Sequence, residues 1–346
     1  MKKRILSLIL AVGMMTALAA CGGSTGDSTG DSAGGDTSEA KGIPLKVATY
    51  YADTHPTSIA LEEVFKPMID EGTEGRYTVE LYSNNGLGSE TEFNEGVSLG
   101  TIECCVTGNL MADRYPALYA ADFPWVFDSV EEASAVCNDP EIQQIFQDAL
   151  IQSHYILRGC SINGNRCVSN NVRPINSLAD LKGLKLRLPT VSHYVRNFEL
   201  LGAAPVTMPM TEIFTALQQG TIDGHDNSIS TIVSNNVQEI QPYMTVSRHT
   251  YEAFTWMANT ANFTSKLSEE DQQLVFDLVE QACKEVNAEL VAEEEELIAQ
   301  CEEENGVQFY RFTEEDVETW RAVITDLIEE YKGVYGEAAC TAFGVE

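Results

Sequence analysis

The chain has 346 residues, of which 44% are apolar, and a formal net charge of −32 at pH 7. This length and apolar content suffice for one large domain or two domains of ordinary size. So acidic a surface repels nucleic acid and anionic lipid, which excludes a nucleic-acid-binding protein, and an anionic ligand would have to be bound by local cations.

The N-terminus has the pattern of a secretory signal peptide. Lys2, Lys3 and Arg4 precede an apolar run that is too short to span a bilayer, and small residues come before Cys21. The LAAC ending resembles the bacterial lipobox, which predicts that Cys21 is lipidated. The alternative is an ordinary signal peptide whose cleavage site precedes a cysteine. Residues 21–42 are mostly Gly, Ser, Thr and Asp and are predicted to form a flexible linker.

After the linker, predicted strands over 45–50, 77–82 and 101–107 alternate with helices over 57–70 and 89–99. This β-α-β-α-β order implies parallel strands that are covered by helices. Ligands of such sheets bind at the carboxyl ends of the strands, so we expect ligand contacts there. The candidates are Tyr51, His55, Asn85, Thr107 and Asn109, although capping of the following helix would equally account for His55.

The same order recurs further along the chain, and one arginine does not fit its strand. Arg187 lies near the carboxyl end of a strand whose sheet would normally be apolar on both faces. We interpret this arginine as one side of a pocket for a carboxylate. The strands of this second unit are predicted over 184–189, 204–208 and 221–225, and its helices over 190–201 and 212–219, the latter capped by Thr211.

The two units also share a weak sequence similarity. Residues 90–109 align without gaps on residues 210–229, with Gly100 on Gly220 and Thr107 on Asn227. If this similarity is more than chance, two lobes of like topology face each other with their strand ends across a cleft.

The remaining segments are expected to connect the two lobes. Residues 154–170 and 243–262 are extended and should cross between them. Ser268 begins a helix that runs to about Glu304, and at 1.5 Å per residue such a helix spans about 55 Å, so it either bridges both lobes or is broken. A final helix over 313–335 should pack on the second lobe.

The sequence offers no catalytic or metal-binding signature. Besides Cys21 it has eight cysteines with no CxxC pair and no histidines at ligand spacing, which favours buried thiols over a zinc site. There is also no GxSxG, HExxH or P-loop pattern. We therefore predict no catalytic residue, no metal and no cofactor, and a secreted enzyme stays the least favoured alternative.

Taken together, these segments resemble a known family. The strings DLKGLKLRLP, LGAAPVTM, EIFTALQQG and DGHDN occur in the order typical of the DctP-type extracytoplasmic solute-binding proteins of TRAP (tripartite ATP-independent periplasmic) transporters. The resemblance implies an α/β fold of the two-lobe periplasmic-binding-protein (Venus flytrap) type, with crossing strands and a long bridging helix. Residues 1–20 are then the lipoprotein signal peptide, 21–42 the linker, 43–163 with about 250–290 lobe I, and 164–249 with about 291–346 lobe II.

The resemblance also implies which residues hold the ligand. Arg187 matches the family arginine that binds the ligand carboxylate in a bidentate manner, and a planar guanidinium suits this geometry better than lysine does. Arg166 matches a second family arginine, although it could instead brace the hinge, and Asn227 matches the asparagine that ends the DG-x-[ED]-N turn. Met210 stands where relatives often have an aromatic residue, which suggests a softer apolar wall.

Two acidic residues are expected to act behind these contacts. Glu212 could complement the helix dipole or accept hydrogen bonds from Arg187 or Lys185, and Asp226 stands where relatives commonly have glutamate. Neither is expected to touch the ligand.

The function implied by the resemblance is capture of a small organic acid anion outside the cell and its delivery to TRAP membrane subunits. A hexuronate, an aldonate, a C4-dicarboxylate or a related acid would fit. The protein is expected to be a monomer that is lipid-anchored to the cell membrane and binds no nucleic acid. A sensor that presents the ligand to a membrane signalling protein is the main alternative.

Overall fold

The computed structural model of the protein describes residues 42–111, 113–150 and 153–345, which belong to one compact unit. The predicted signal peptide and Cys21 lie outside these ranges, and the side chain of Asn109 is likewise outside the described part. Within the described ranges, no helix is both long enough and apolar enough to cross a bilayer.

Strands and helices alternate along the described chain. The strands are β1 (Ile43–Thr49), β2 (Tyr77–Tyr82), β3 (Cys104–Thr107), β4 (Tyr155–Ile162), β5 (Arg166–Asn170), β6 (Lys185–Leu188), β7 (Ala204–Thr207), β8 (Gly224–Ser228), β9 (Tyr243–Val246), β10 (Ala253–Asn259) and β11 (Gln308–Arg311). The helices are α1 (Pro56–Ala60), α2 (Lys66–Gly72), α3 (Glu90–Leu99), α4 (Val130–Cys137), α5 (Pro140–Ala149), α6 (Leu178–Leu181), α7 (Ser192–Leu200), α8 (Ile213–Gln218), α9 (Ile229–Ser234), α10 (Thr260–Lys266), α11 (Glu269–Asn305), α12 (Glu314–Ile324), α13 (Asp326–Tyr335) and α14 (Glu337–Ala342).

The strands form two separate sheets. One sheet has the order β2-β1-β3-β10-β4 and defines lobe I, and the other has the order β11-β9-β5-β8-β6-β7 and defines lobe II. Strand β1 is parallel to β2 and β3, and β6 is parallel to β7 and β8. The predicted two-lobe α/β fold with parallel β-α-β-α-β units is therefore confirmed.

The weak internal similarity corresponds to a repeated structure. The orders β2-β1-β3 and β7-β6-β8 are equivalent, and the aligned Gly100 and Gly220 both follow a helix with positive φ angles of 78° and 69°. Residues with a Cβ rarely adopt this conformation. The amide of Thr101 then donates to the carbonyl of Gly96 at 2.9 Å, and the amide of Thr221 donates to the carbonyl of Ala216 at 3.0 Å. Both units thus end their helix and enter their third strand in the same way.

Two local predictions in the second unit are wrong. The third strand begins at Gly224 rather than at residue 221, because Asp223 accepts the Lys185 amide through its carboxylate at 2.9 Å and donates its own amide to the Lys185 carbonyl. Thr211 does not cap α8, because it lies inside a 3₁₀ turn over Met210–Glu212 that precedes the helix.

The long helix α11 is unbroken and bridges the lobes. Its 37 residues begin after the predicted cap Ser268, whose hydroxyl accepts from the Asp271 amide at 3.1 Å. In its first half Cys283 packs into the core of lobe I, and near its end Cys301 packs into the core of lobe II. Its capping and its apolar positions made this element predictable.

The C-terminal segment differs from the prediction of one final helix on the second lobe. It contains α12, α13 and α14, and it contacts both lobes. The Tyr331 hydroxyl donates to the carbonyl of His193 in α7 at 3.2 Å, whereas Phe343 stacks on Phe146 of α5 with ring centroids 5.8 Å apart. The segment therefore ties the two lobes together.

The eight cysteines in the described ranges are free thiols. Seven of them are buried and Cys104 is partly buried. Burial raises the pKa of the Cys160 thiol to about 12, so this group stays protonated and unreactive at physiological pH.

Candidate ligand-binding site

A cavity of about 360 Å³ lies between the lobes at the carboxyl ends of their parallel strands. This volume is within the roughly 300–1,000 Å³ that small-molecule sites occupy. On the lobe I side its wall includes Tyr50, Asn85, Glu90 and Glu252. On the lobe II side it includes Arg166, Arg187, Met210 and Asn227.

Arg187 places a guanidinium at the cavity that forms no ion pair with the residues the structure describes. The residue is 5% exposed, and its Nε donates to the carbonyl of Met208 at 2.9 Å. Its two Nη groups make no hydrogen bond to the described residues. Burial, with the charge of Arg166, lowers the pKa of Arg187 to about 10, so the guanidinium is still charged at neutral pH.

Arg166 is held on several sides by the protein. It is 2% exposed, and its Nε donates to Asp226 Oδ2 at 2.9 Å while Nη2 donates to the Asp226 carbonyl at 2.7 Å. Nη1 forms an ion pair with Glu252, and the guanidinium carbon lies 5.0 Å from the ring centre of Tyr194. Burial opposes ionisation of Asp226, but the charge of Arg166 holds the pKa of that carboxyl well below its usual range.

Asn227 and Met210 form an adjoining part of the wall. The Asn227 Oδ1 accepts from the Ser228 amide at 2.9 Å and from Asn163 Nδ2 at 3.4 Å. Its Nδ2 lies 3.7 Å from the Met210 sulfur, a weak acceptor. The amide N–H groups of Asn227 are thus the part of this side chain that suits a ligand oxygen.

Two lining carboxylates were missed by the sequence reasoning. Glu90 Oε1 accepts from the Thr107 hydroxyl and from the Gly108 amide, both at 2.8 Å. Burial raises the pKa of Glu90 to about 7, and the charge of Glu252 adds to this, whereas Thr107, Gly108 and Arg187 oppose it. The internal alignment had contained a signal, because it places Glu90 on Met210. No comparable pattern marks Glu252.

Comparison with known proteins identifies the family. Residues 47–333 match the sequence model of the family described as bacterial extracellular solute-binding protein, family 7 (DctP). The chain belongs to this family. Family 7 proteins bind solutes outside the cytoplasm and are not enzymes, so the predicted class of protein is confirmed.

Relatives and solved structures agree with this assignment. The 2,3-diketo-L-gulonate-binding periplasmic protein YiaO of Escherichia coli is 28% identical, over 79% of this chain and 82% of its own length. The sugar acid binding protein DctPAm of Advenella mimigardefordensis, solved with galactonate, has a TM-score of 0.82 at 26% identity, with 88% of this chain and 98% of that chain covered. A TRAP periplasmic solute-binding protein of Haemophilus influenzae with bound L-gulonate has a TM-score of 0.80 at 26% identity, with 88% and 100% covered.

In this family 7 protein, two predicted contact residues lie behind the cavity wall. The Tyr51 hydroxyl accepts from the Tyr50 hydroxyl at 2.7 Å, and its ring stacks on His55 with centroids 4.0 Å apart. His55 caps α1 by accepting the Thr57 amide at its Nδ1. Burial lowers the pKa of His55 to about 3, so it is neutral. Both residues support the wall that Tyr50 presents.

Of the other residues predicted to form the site, some line the cavity and some lie behind its wall. Asn85 lines the cavity, whereas Thr107 is buried behind Glu90 and orients its carboxylate. Asp226 is fully buried and accepts a hydrogen bond from Arg166. Glu212, in contrast, is exposed, because the 3₁₀ turn carries it to the surface.

Proposed function

We propose that the protein captures a small organic acid in the cleft between its lobes and delivers it to a TRAP-type membrane permease. The observation that carries this proposal is the buried Arg187, whose Nη groups make no hydrogen bond to the described residues and border a cavity of ligand size. Such a guanidinium edge can bind both oxygens of one carboxylate. Arg166 and the amide of Asn227 would bind neighbouring oxygens.

Contacts between the lobes support a closing mechanism. Ser192, at the start of α7 in lobe II, donates its hydroxyl to Asp113 of lobe I at 3.1 Å. On another side, His55 Nε2 lies 3.3 Å from the Thr231 hydroxyl. Each of these two contacts is a single hydrogen bond worth about 1 kcal/mol, so a ligand that touches both walls would supply further free energy in favour of the closed state.

The proteins to which the chain is similar support the ligand class. The proteins described above bind or are named for galactonate, L-gulonate and 2,3-diketo-L-gulonate, each an organic acid. Arg187, which has no ion pair among the described residues, and several hydrogen-bonding side chains around the cavity fit this class of ligand.

A thermal-shift screen tests the proposal. We expect at least one organic acid to raise the melting temperature, because a ligand that binds only the folded state stabilises it by about 2.7 kcal/mol at 100 times its Kd. Uncharged galactitol should give no shift. If none of a broad panel of organic acids changed the melting temperature, the proposed function would be wrong. Uptake of the active acid into vesicles that contain TRAP membrane subunits, with and without the protein, tests delivery.

We also propose that Cys21 anchors the protein, as a monomer, to the cell membrane through a lipid. Wild-type protein made in a bacterial host should incorporate labelled palmitate and sediment with membranes, and Cys21→Ser should do neither. Cys104→Ser, at a partly buried cysteine, serves as the control and should behave as wild type. Unchanged maturation and membrane association of Cys21→Ser would show that the signal peptide is an ordinary one.

A further inference from the structure

The cavity wall carries two acidic side chains although its proposed ligand is an anion. Glu90 begins α3 and Glu252 precedes β10, and both meet at Gly108. A Cβ added to Gly108 would lie 3.0 Å from Glu252 Oε1 and 3.3 Å from both Glu90 Oε1 and the Tyr50 hydroxyl. The lobe I side of the cavity is therefore a cluster of hydrogen-bond acceptors rather than a cationic surface.

The charged side chains around the cavity can neutralise one ligand carboxylate. Arg166 is already paired with Asp226 and Glu252, whereas Arg187 hydrogen-bonds only the Met208 carbonyl among the described residues. Arg187 is therefore the cation that a ligand carboxylate can neutralise.

One carboxylate oxygen of Glu90 can accept a hydrogen bond from the ligand. Its Oε1 accepts from Thr107 and Gly108, but Oε2 receives no hydrogen bond from the described residues. No arginine or lysine in the described chain forms an ion pair with it. A ligand hydroxyl can donate to Oε2, whereas a second ligand carboxylate would place a like charge beside an ionised carboxylate in a partly desolvated site.

We propose that Glu90 makes the site selective for polyhydroxylated monocarboxylates and excludes dicarboxylates. This inference rests on the proposed function. The ligand carboxylate binds Arg187, and a hydroxyl further along the carbon chain donates to Glu90 Oε2. Asn85, which also lines the cavity, offers a further amide to the ligand hydroxyls. Selectivity then arises from repulsion of the wrong ligand as well as from attraction of the right one.

Matched pairs of acids separate the effect of charge from that of shape. Galactonate and galactarate, and likewise gluconate and glucarate, differ only in whether the far terminus is a hydroxymethyl group or a carboxylate. In calorimetry at pH 8, where a carboxyl with a pKa of about 7 is mostly ionised, we expect the monoacid of a pair to bind about tenfold more tightly than the diacid, because protonation of such a carboxyl at this pH costs about 1.4 kcal/mol. Succinate should bind as weakly as the diacids.

The variant Glu90→Gln tests whether this residue causes the selectivity. Glutamine keeps an oxygen that can accept from Thr107 and Gly108 but removes the charge, so the ratio between the affinities of monoacid and diacid should fall from about tenfold towards one. Glu95→Gln is the matched control, because Glu95 is exposed on the same helix, and it should keep the wild-type ratio. Thermal melts of both variants report whether they fold, and the acid pairs test the wild type independently of any variant.

The possible outcomes separate this inference from the proposed function. The inference is overturned if a diacid or succinate binds the wild type as tightly as every monoacid tested, or if Glu90→Gln leaves the ratio unchanged. Binding of succinate alone would overturn it while leaving organic-acid capture intact. Binding of no organic acid would overturn the proposed function itself, and this inference with it.

Discussion

Arg187→Ala is expected to lower the affinity for the organic acid by at least about 100-fold. Truncation of one partner of a buried, hydrogen-bonded charge pair costs about 2–5 kcal/mol of binding free energy. The melting temperature of the ligand-free protein should change little, because Arg187 is desolvated and makes one hydrogen bond, to Met208, within the described chain. Calorimetry and thermal melts of the same samples measure the two effects.

Two further variants make this test specific. Arg187→Lys should also bind weakly, because an ammonium group cannot form the two parallel bonds of a guanidinium. Arg196→Ala removes a half-exposed arginine of α7, which lies outside the cavity wall, and should bind as wild type does. Undiminished affinity in Arg187→Ala would mean that the carboxylate is held elsewhere.

Arg166→Met is expected to lower the free energy of unfolding by roughly 3–5 kcal/mol, the cost of leaving buried charges without their partner. The variant leaves the carboxylates of Asp226 and Glu252, which are 0% and 5% exposed, without their ion-pair partner. Urea denaturation of the ligand-free protein measures the loss. Arg166→Met and Arg187→Ala should thus differ in kind, one chiefly in stability and the other chiefly in binding.

The decrease in the free energy of unfolding of Arg166→Met should also depend on pH. In the wild type the pKa of Asp226 is held below its usual range, so this carboxylate contributes stability above the usual pKa and loses that contribution as pH falls through the lowered value. In Arg166→Met, Asp226 loses the cation that lowers its pKa, so burial favours its protonated form and the destabilisation of the variant is relieved as pH falls. The difference in free energy of unfolding between wild type and Arg166→Met should therefore shrink as pH falls from 7 towards 4. The control is Arg311→Met, which removes an exposed ion pair with Glu295 worth about 1 kcal/mol at most. A loss for Arg166→Met no larger than this would contradict the proposed brace.

The alternation of strands and helices was predictable because it depends on local patterns. Periodic apolar residues, the cap at Ser268 and the glycines that end helices at positions 100 and 220 all mark structure within a few residues. The start of β8 was predicted three residues too early, because Asp223 is held by Lys185, a residue 38 positions away. Such a contact leaves no periodic signal in the sequence.

Within the site, the sequence indicated which strand ends border the cleft but not which side chains point into it. Tyr50 and Tyr51 are neighbours after β1, yet the first lines the cavity and the second lies behind it. Glu252 is paired with Arg166 across 86 positions of the chain, so only the folded structure brings the two together. Candidate residues chosen by their position in the sequence therefore included some that lie behind the cavity wall as well as some that line the cavity.

The most direct test of the account is a crystal structure of the protein with the acid that gives the largest thermal shift. We predict that both carboxylate oxygens lie within hydrogen-bonding distance of the Arg187 Nη groups, with a ligand hydroxyl on Glu90 and Arg166 still paired with Asp226. A ligand carboxylate bound away from Arg187, or an acid bound outside the cavity between the lobes, would contradict the account.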